Sequence, residues 1–274
     1  MKKFLYISIL AALMLPSCGK DGAERPSRGS IVLDVSTEAS FTRAMVAGAA
    51  GSSFPVLWQE GDRISLNGSL SSPLPAGSAG DTRATFSFTD FPGDAPYQLL
   101  YPGNADGKAI LDGTVPAMYA SGSSLTESFT LHQLGCGLRV LLHGGLSLAS
   151  LSLSAPGEEA LAGTFSVDFE NGSLSPVSAW TSISHTFSSP PDISATVPFY
   201  FFFAPGTYAE GLVLKAEAPD GYARKWYFAT GRTLVKGRMY QPEELDFSFE
   251  EEPSDGDIEC SLEGLDGQTV DFEP

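Results

Sequence analysis

Basic side chains are scarce in this chain: 16 Lys and Arg face 33 Asp and Glu, for a formal net charge of −17. Phosphate backbones are bound by an excess of Lys and Arg, so nucleic acid is excluded as an expected partner. Charged residues of both signs reach only 18%. Coiled coils and long-helix proteins are rich in Glu, Lys and Arg, so that class is excluded too. The 29 glycines and 19 prolines break helices further. Cysteine and histidine are rare, with three of each. His132, His143 and His185 show neither HExxH nor HxH spacing, and no CxxC occurs. There is also no GxSxG elbow and no phosphate-cradling glycine loop. No metal, no cofactor and no enzymatic activity are expected.

What is present begins with an address. Two lysines precede an apolar run from Phe4 to Leu15, followed by Pro16-Ser17-Cys18. The run is too short for a stable helix across a bilayer of about 30 Å. It fits the apolar region of a bacterial secretory signal. Leu15-Pro16-Ser17-Cys18 resembles a lipobox, which implies cleavage between Ser17 and Cys18 and acylation of Cys18. Each buried CH₂ of such a lipid adds about 0.8 kcal/mol of membrane binding, so acyl chains could anchor the chain without a protein span. Residues 1–17 are therefore expected as signal and 18–30 as a polar tether. The compartment would permit a disulfide between Cys136 and Cys260, although one lies in an apolar strand pattern and the other in a tail.

From Ile31 onward the pattern is β. Ile31, Leu33 and Val35 alternate with Val32, Asp34 and Ser36. Short strands are expected at 31–36, 63–67, 84–88, 97–101 and 109–111, then as one long strand from Phe129 to His143. Further strands are expected at 151–154, 163–169, 183–187, 196–203, 211–218, 222–229 and 245–249. No dozen residues keep a helical period. The fold class expected is all-β, built of antiparallel sandwiches. So many strands exceed one such domain, which predicts two, at 31–122 and 123–249. The boundary is placed in Ala117–Ser124, whose small and polar residues read as a linker. Residues 250–274 form an acidic tail, with ten acids and no Lys or Arg.

Some residues invite a chemical reading and have an ordinary one beside it. Asn104–Asp112 has oxygen ligands and a glycine but lacks the alternation and closing Glu of an EF-hand loop. Glu158-Glu159 and Glu243-Glu244 read as solvated turns, not as a paired acid and base. Trp58, Trp180 and Trp226 could stack on sugar rings or fill cores.

Several local patterns together resemble the fimbrillin family of Bacteroidales-type pili and its fimbrillin-like lipoproteins. They are the lipobox at Cys18, Phe41-Thr42-Arg43-Ala44, and Phe54–Asp62 with Trp58 and Gly61-Asp62-Arg63-Ile64. Further on come Tyr101-Pro102, Ser128–Val140, Gly237-Arg238-Met239-Tyr240 and Leu245-Asp246-Phe247. The resemblance spans about 18–249. It implies two transthyretin-like β-sandwich domains in tandem and a lipoprotein of the outer membrane, exposed at the cell surface or in a fimbrium. It also implies other pilus subunits as partners, joined by β-strand complementation after an arginine-specific protease releases the first strand. Ile31–Ser36 is then the leaving strand, and Arg43-Ala44 the best match to the cleavage position, with Arg25 and Arg28 as alternatives. By pattern alone, Ile258, Cys260 and Leu262 make a candidate donor strand, and a disordered acidic tail is the other reading. A host or bacterial surface ligand is a further expected partner of such a subunit, and the rival function is a glycan-binding surface lipoprotein that presents aromatic platforms to polysaccharide.

Overall fold

The computed structural model describes residues 31–38, 56–90, 93–228, 230–249 and 258–260. The first half contains β1 (Ile31–Thr37), β2 (Ser65–Leu66), β3 (Ser69–Leu70), β4 (Arg83–Phe88), β5 (Tyr97–Tyr101), β6 (Ala109–Leu111), β7 (Met118–Gly122) and β8 (Phe129–Gln133). Next come β9 (Cys136–His143), β10 (Ser150–Ser154), β11 (Ala162–Asp168), β12 (Ser173–Trp180), β13 (Ser182–Thr186), β14 (Val197–Phe203) and β15 (Gly206–Tyr208). The last are β16 (Leu212–Glu217), β17 (Ala223–Phe228), β18 (Arg232–Leu234), β19 (Met239–Tyr240), β20 (Leu245–Asp246) and β21 (Ile258–Cys260). Every element among the described residues is a strand, as the composition predicts; the fold is all-β.

A seven-stranded sheet runs β3-β2-β5-β7-β8-β1-β4. It curls around one core. β4 and β5 stand four places apart in that order, yet Phe86 of β4 and Tyr101 of β5 both meet Trp58 edge-on, at 5.0 and 5.2 Å. Trp58 is wholly buried with Leu33, Val35, Phe88, Leu99 and Leu131 around the same core. In the second half, the sheet β13-β10-β16-β17-β21 faces the sheet β14-β9-β19, with β20 also pairing β9. Leu138, Leu153, Phe201, Leu214, Trp226 and Phe247 fill the space between them.

Three expectations need correction. Ala117–Ser124 is no linker: Ala117, Met118, Tyr119 and Ala120 are buried, and β7 lies between β5 and β8. Small residues there serve close packing, since a Cβ on Gly122 would come within 2.7 Å of the Phe129 ring. The single strand from Phe129 to His143 is two strands in different sheets, β8 beside β7 and β1, and β9 beside β14. The chain changes sheet at Leu134-Gly135, where any Cβ on Gly135 would sit 2.8 Å from the Phe203 carbonyl oxygen. β12 is an addition, an almost wholly exposed edge strand whose apolar residues Leu174, Val177 and Trp180 stand three apart and so offer no period-two alternation to read.

The expected division at 122/123 falls between β7 and β8, which pair through Met118↔Gln133 and Tyr119↔His132. The two halves also share a sheet, β12-β11-β6, with Gly163↔Leu111 and Phe165↔Ala109 in register.

Candidate functional site

β1 has the period-two pattern of a strand buried on one face, and the structure uses it so. Leu33 and Val35 are each 1% exposed, whereas Val32 between them is 59% exposed. On one side β1 pairs antiparallel with β4 along six residues, from Ile31↔Phe88 to Ser36↔Arg83. On the other it pairs parallel with β8, but only from Val35↔Phe129 to Thr37↔Leu131. A cleft of about 360 Å³ on the outer face is lined by Asp34, Ser36, Arg83, Thr85, Ser128 and Thr130. Burying Leu33 and Val35 contributes roughly 1.5–3 kcal/mol each. The strand is thus a core component that is fully laddered on one side and half laddered on the other.

The C-terminal end of β1 is held by several bonds. Thr37 donates its backbone N–H to the Thr82 carbonyl at 2.9 Å and its hydroxyl to the Val56 carbonyl at 2.8 Å. Glu38 donates its backbone N–H to the Leu131 carbonyl at 2.9 Å. Its carboxylate takes a bond from His132 Nδ1 at 3.1 Å. That bond raises the imidazole above its ordinary value and lowers the Glu38 carboxyl, while partial burial opposes both shifts. Lys236 stands close enough to oppose protonation of His132, with its ammonium 5.6 Å from the centre of the Tyr119 ring. No local pattern pairs His132 with Glu38, because 94 residues separate the two.

The tail supplies a second place of interest. Ile258–Cys260 forms β21, which pairs in parallel with β17 as Trp226↔Ile258, Tyr227↔Glu259 and Phe228↔Cys260. The candidate donor residues Ile258 and Cys260 therefore lie along an edge of the chain's own second-half sheet. Leu262 lies outside the described residues, as do Ser17, Cys18, Arg25, Arg28, Arg43 and Ala44.

Other motifs resolve into structure. Asp62, 4% exposed, accepts from the Gln59 N–H at 2.7 Å and from the Tyr101 hydroxyl at 3.2 Å, closing the turn after Trp58. Gly237-Arg238-Met239-Tyr240 docks alongside β9, with Gly237 N–H on the Gly135 carbonyl and Gly137 N–H on the Arg238 carbonyl. Asn104 donates to the Lys108 carbonyl and accepts from the Asp106 N–H, so its amide closes its own loop. Glu159 accepts from the Ala209 N–H at 2.7 Å, and Glu244 from the Thr196 hydroxyl. His185 lies against the Phe201 ring at 4.6 Å, and burial holds it below the ordinary imidazole range. His143 lies 3.8 Å from Asp246. No cluster of three metal-ligating side chains occurs among the described residues. Cys136 is a free, fully buried thiol facing the Phe203 and Ala204 carbonyls, and burial pushes its pKa up. Trp58 and Trp226 are buried; Trp180 is 51% exposed on β12.

The fold is that of an all-β protein with curled and face-to-face sheets. Solved structures similar to it are those of proposed cell adhesion proteins and of fimbrial proteins. One is a proposed cell adhesion protein from Bacteroides ovatus, 14% identical, covering 82% of this chain and 93% of that one with a TM-score of 0.48. Another, from Bacteroides uniformis, is 15% identical over 80% of this chain and 93% of that chain, with a TM-score of 0.45. The tip fimbrial protein Mfa3 from Porphyromonas gingivalis, with a C-terminal truncation, is 9% identical over 79% and 96% of the two chains, at a TM-score of 0.35. No family profile and no curated protein matches this chain.

Proposed function

We propose that this chain is a non-enzymatic, fimbrillin-like surface lipoprotein, a structural or accessory subunit of an adhesive pilus. Cys18 carries the lipid that anchors it in the outer membrane, and its partners are other subunits joined by β-strand complementation. The observation that supports this reading most is the seat of β1. The strand completes a core with Leu33 and Val35, and the chain leaves it at Glu38 and re-enters the described fold at Val56. Arg43 lies in that interval. A cut after Arg43 would leave β1 held by ladder bonds and packing alone. Its departure would open a groove flanked by the unpaired edges of β4 and β8 and floored by apolar side chains. Such a groove is costly when empty, and an extended strand with alternating apolar residues satisfies it.

The test is arginine-specific proteolysis of the purified full-length chain, followed by denaturing and non-denaturing gels. Multimer ladders should appear with the wild type and vanish with Arg43→Ala. A chain that is cut after Arg43 and stays monomeric would refute the reading. The glycan-binding alternative has one observation in its favour, the exposed ring of Trp180. Binding of uncleaved monomer to a glycan array, lost on Trp180→Ala, would support it instead.

A further inference from the structure

Without β21, β17 would be the open edge of its sheet. Edge strands expose unpaired N–H and C=O groups, and natural proteins cover or charge them. β17 is paired on its inner side with β16 over six residues, from Leu212↔Phe228 to Glu217↔Ala223. In that register Lys215 and Lys225 stand directly opposite one another, on the face away from the buried Leu214 and Trp226. Like charges in that relation repel. Lys215 bonds Glu217 at 2.7 Å, while Lys225 is exposed. In a chain with twice as many acids as bases, this face is a local basic site beside a strand edge.

The segment that lies on this edge has the complementary character. Glu259 pairs in register with Tyr227, two residues along from Lys225. The eight residues before β21, 250–257, include five acids, and 250–274 holds ten acids with no base. Opposite charge therefore selects this tail over other segments of the chain as the natural cover. The cover is also slight. It amounts to three residue pairs in a parallel ladder, which is less stable per residue than an antiparallel one.

We propose that the outer edge of β17 is the docking site of the chain's own acidic tail in the unassembled subunit. The tail must leave that edge before it can complete the sheet of another copy. This rests on the strand-donor reading of the tail given above. Docking in cis does two things at once. It shields an edge that would otherwise pair with any extended chain, and it withholds the donor until a deeper groove competes for it.

The experiment uses the full-length chain with Tyr227→Cys, Glu259→Cys and Cys260→Ser. Mild oxidation should give an intramolecular cross-link in the monomer, identified by mass spectrometry of the digested protein. After arginine-specific proteolysis, the oxidised form should stay monomeric, and reduction should restore the multimer ladder. Failure to form the cis cross-link overturns the docking site, as does an oxidised form that assembles like the reduced one. A chain lacking 258–274 separates the two claims. If it assembles as well as the intact chain, the donor reading fails, whereas the cross-link still reports where the tail rests.

Discussion

β1 and β21 are both strands added to a sheet through a parallel pairing with a partner far away in sequence, and they differ in everything that decides permanence. β1 has seven residues, neighbours on both sides and two side chains in the core. β21 has three residues and one neighbour. Backbone pairing alone is worth little net, because water competes for the same groups. The apolar area beneath the strand decides whether it stays. The comparison teaches that β1 is seated as part of a core, whereas β21 is a short addition at the edge of a sheet.

The largest effect should come from emptying the seat of β1. Leu33→Ala should destabilise the protein by about 2–5 kcal/mol, read from chemical denaturation, because the residue is fully buried in the first core, opposite Phe86 of β4. A loss under about 1 kcal/mol would mean that β1 contributes little to the core. Next in size is the end of the strand. Thr37→Val removes the hydroxyl bond to the Val56 carbonyl and leaves that acceptor without its donor, a cost of about 1–3 kcal/mol in the same assay.

The Glu38–His132 pair should make the hold on β1 depend on pH. The folded value of His132 lies above the ordinary 6.5, so its contribution is complete below 6.5 and disappears as pH rises through the raised value. Glu38 is lowered from 4.5, so its contribution is complete above 4.5 and disappears as pH falls through the lowered value. The pair therefore holds best between about 4.5 and 6.5. The side chain of His132 is 53% exposed, which limits the effect to less than about 1 kcal/mol. His132→Gln should flatten the difference in denaturation midpoint between the middle of that window and pH 8; an unchanged difference would remove this pair as its source. The smallest effect is expected at the tail. Lys225→Glu should leave global stability within about 0.5 kcal/mol while amide exchange at Trp226–Phe228 quickens. Protection as strong as in the wild type would show that charge does not hold β21.

Much of this was readable in the residues. β5 and β6 begin and end where the apolar pattern predicts, since turn residues bracket them. β1 was readable because alternation in a half-buried strand is a direct print of its surroundings. β7 is hidden because Ala120, Ser121 and Gly122 follow its two larger residues, and a run of small residues looks alike in a linker and in a crowded sheet. β8 and β9 merged because Leu134 kept the apolar run going across the change of sheet. At the site, the Glu38–His132 bond and the β17–β21 pairing join residues that no local pattern connects. The apolar alternation of Ile258 and Cys260 predicted a strand but could not name its neighbour.

One feature of the junction between the halves bears on mechanics. The halves are joined covalently at Leu134-Gly135, laddered through β6 and β11, bridged at Gly113↔Phe202, and wedged where Phe202 and Met239 enter the first core. Tension applied to one half is shared among these connections and does not run through a single stretch of chain. Two beads on a string would bend at the string. This molecule is braced like a truss, and a pull on one half meets several parallel members before it reaches the other.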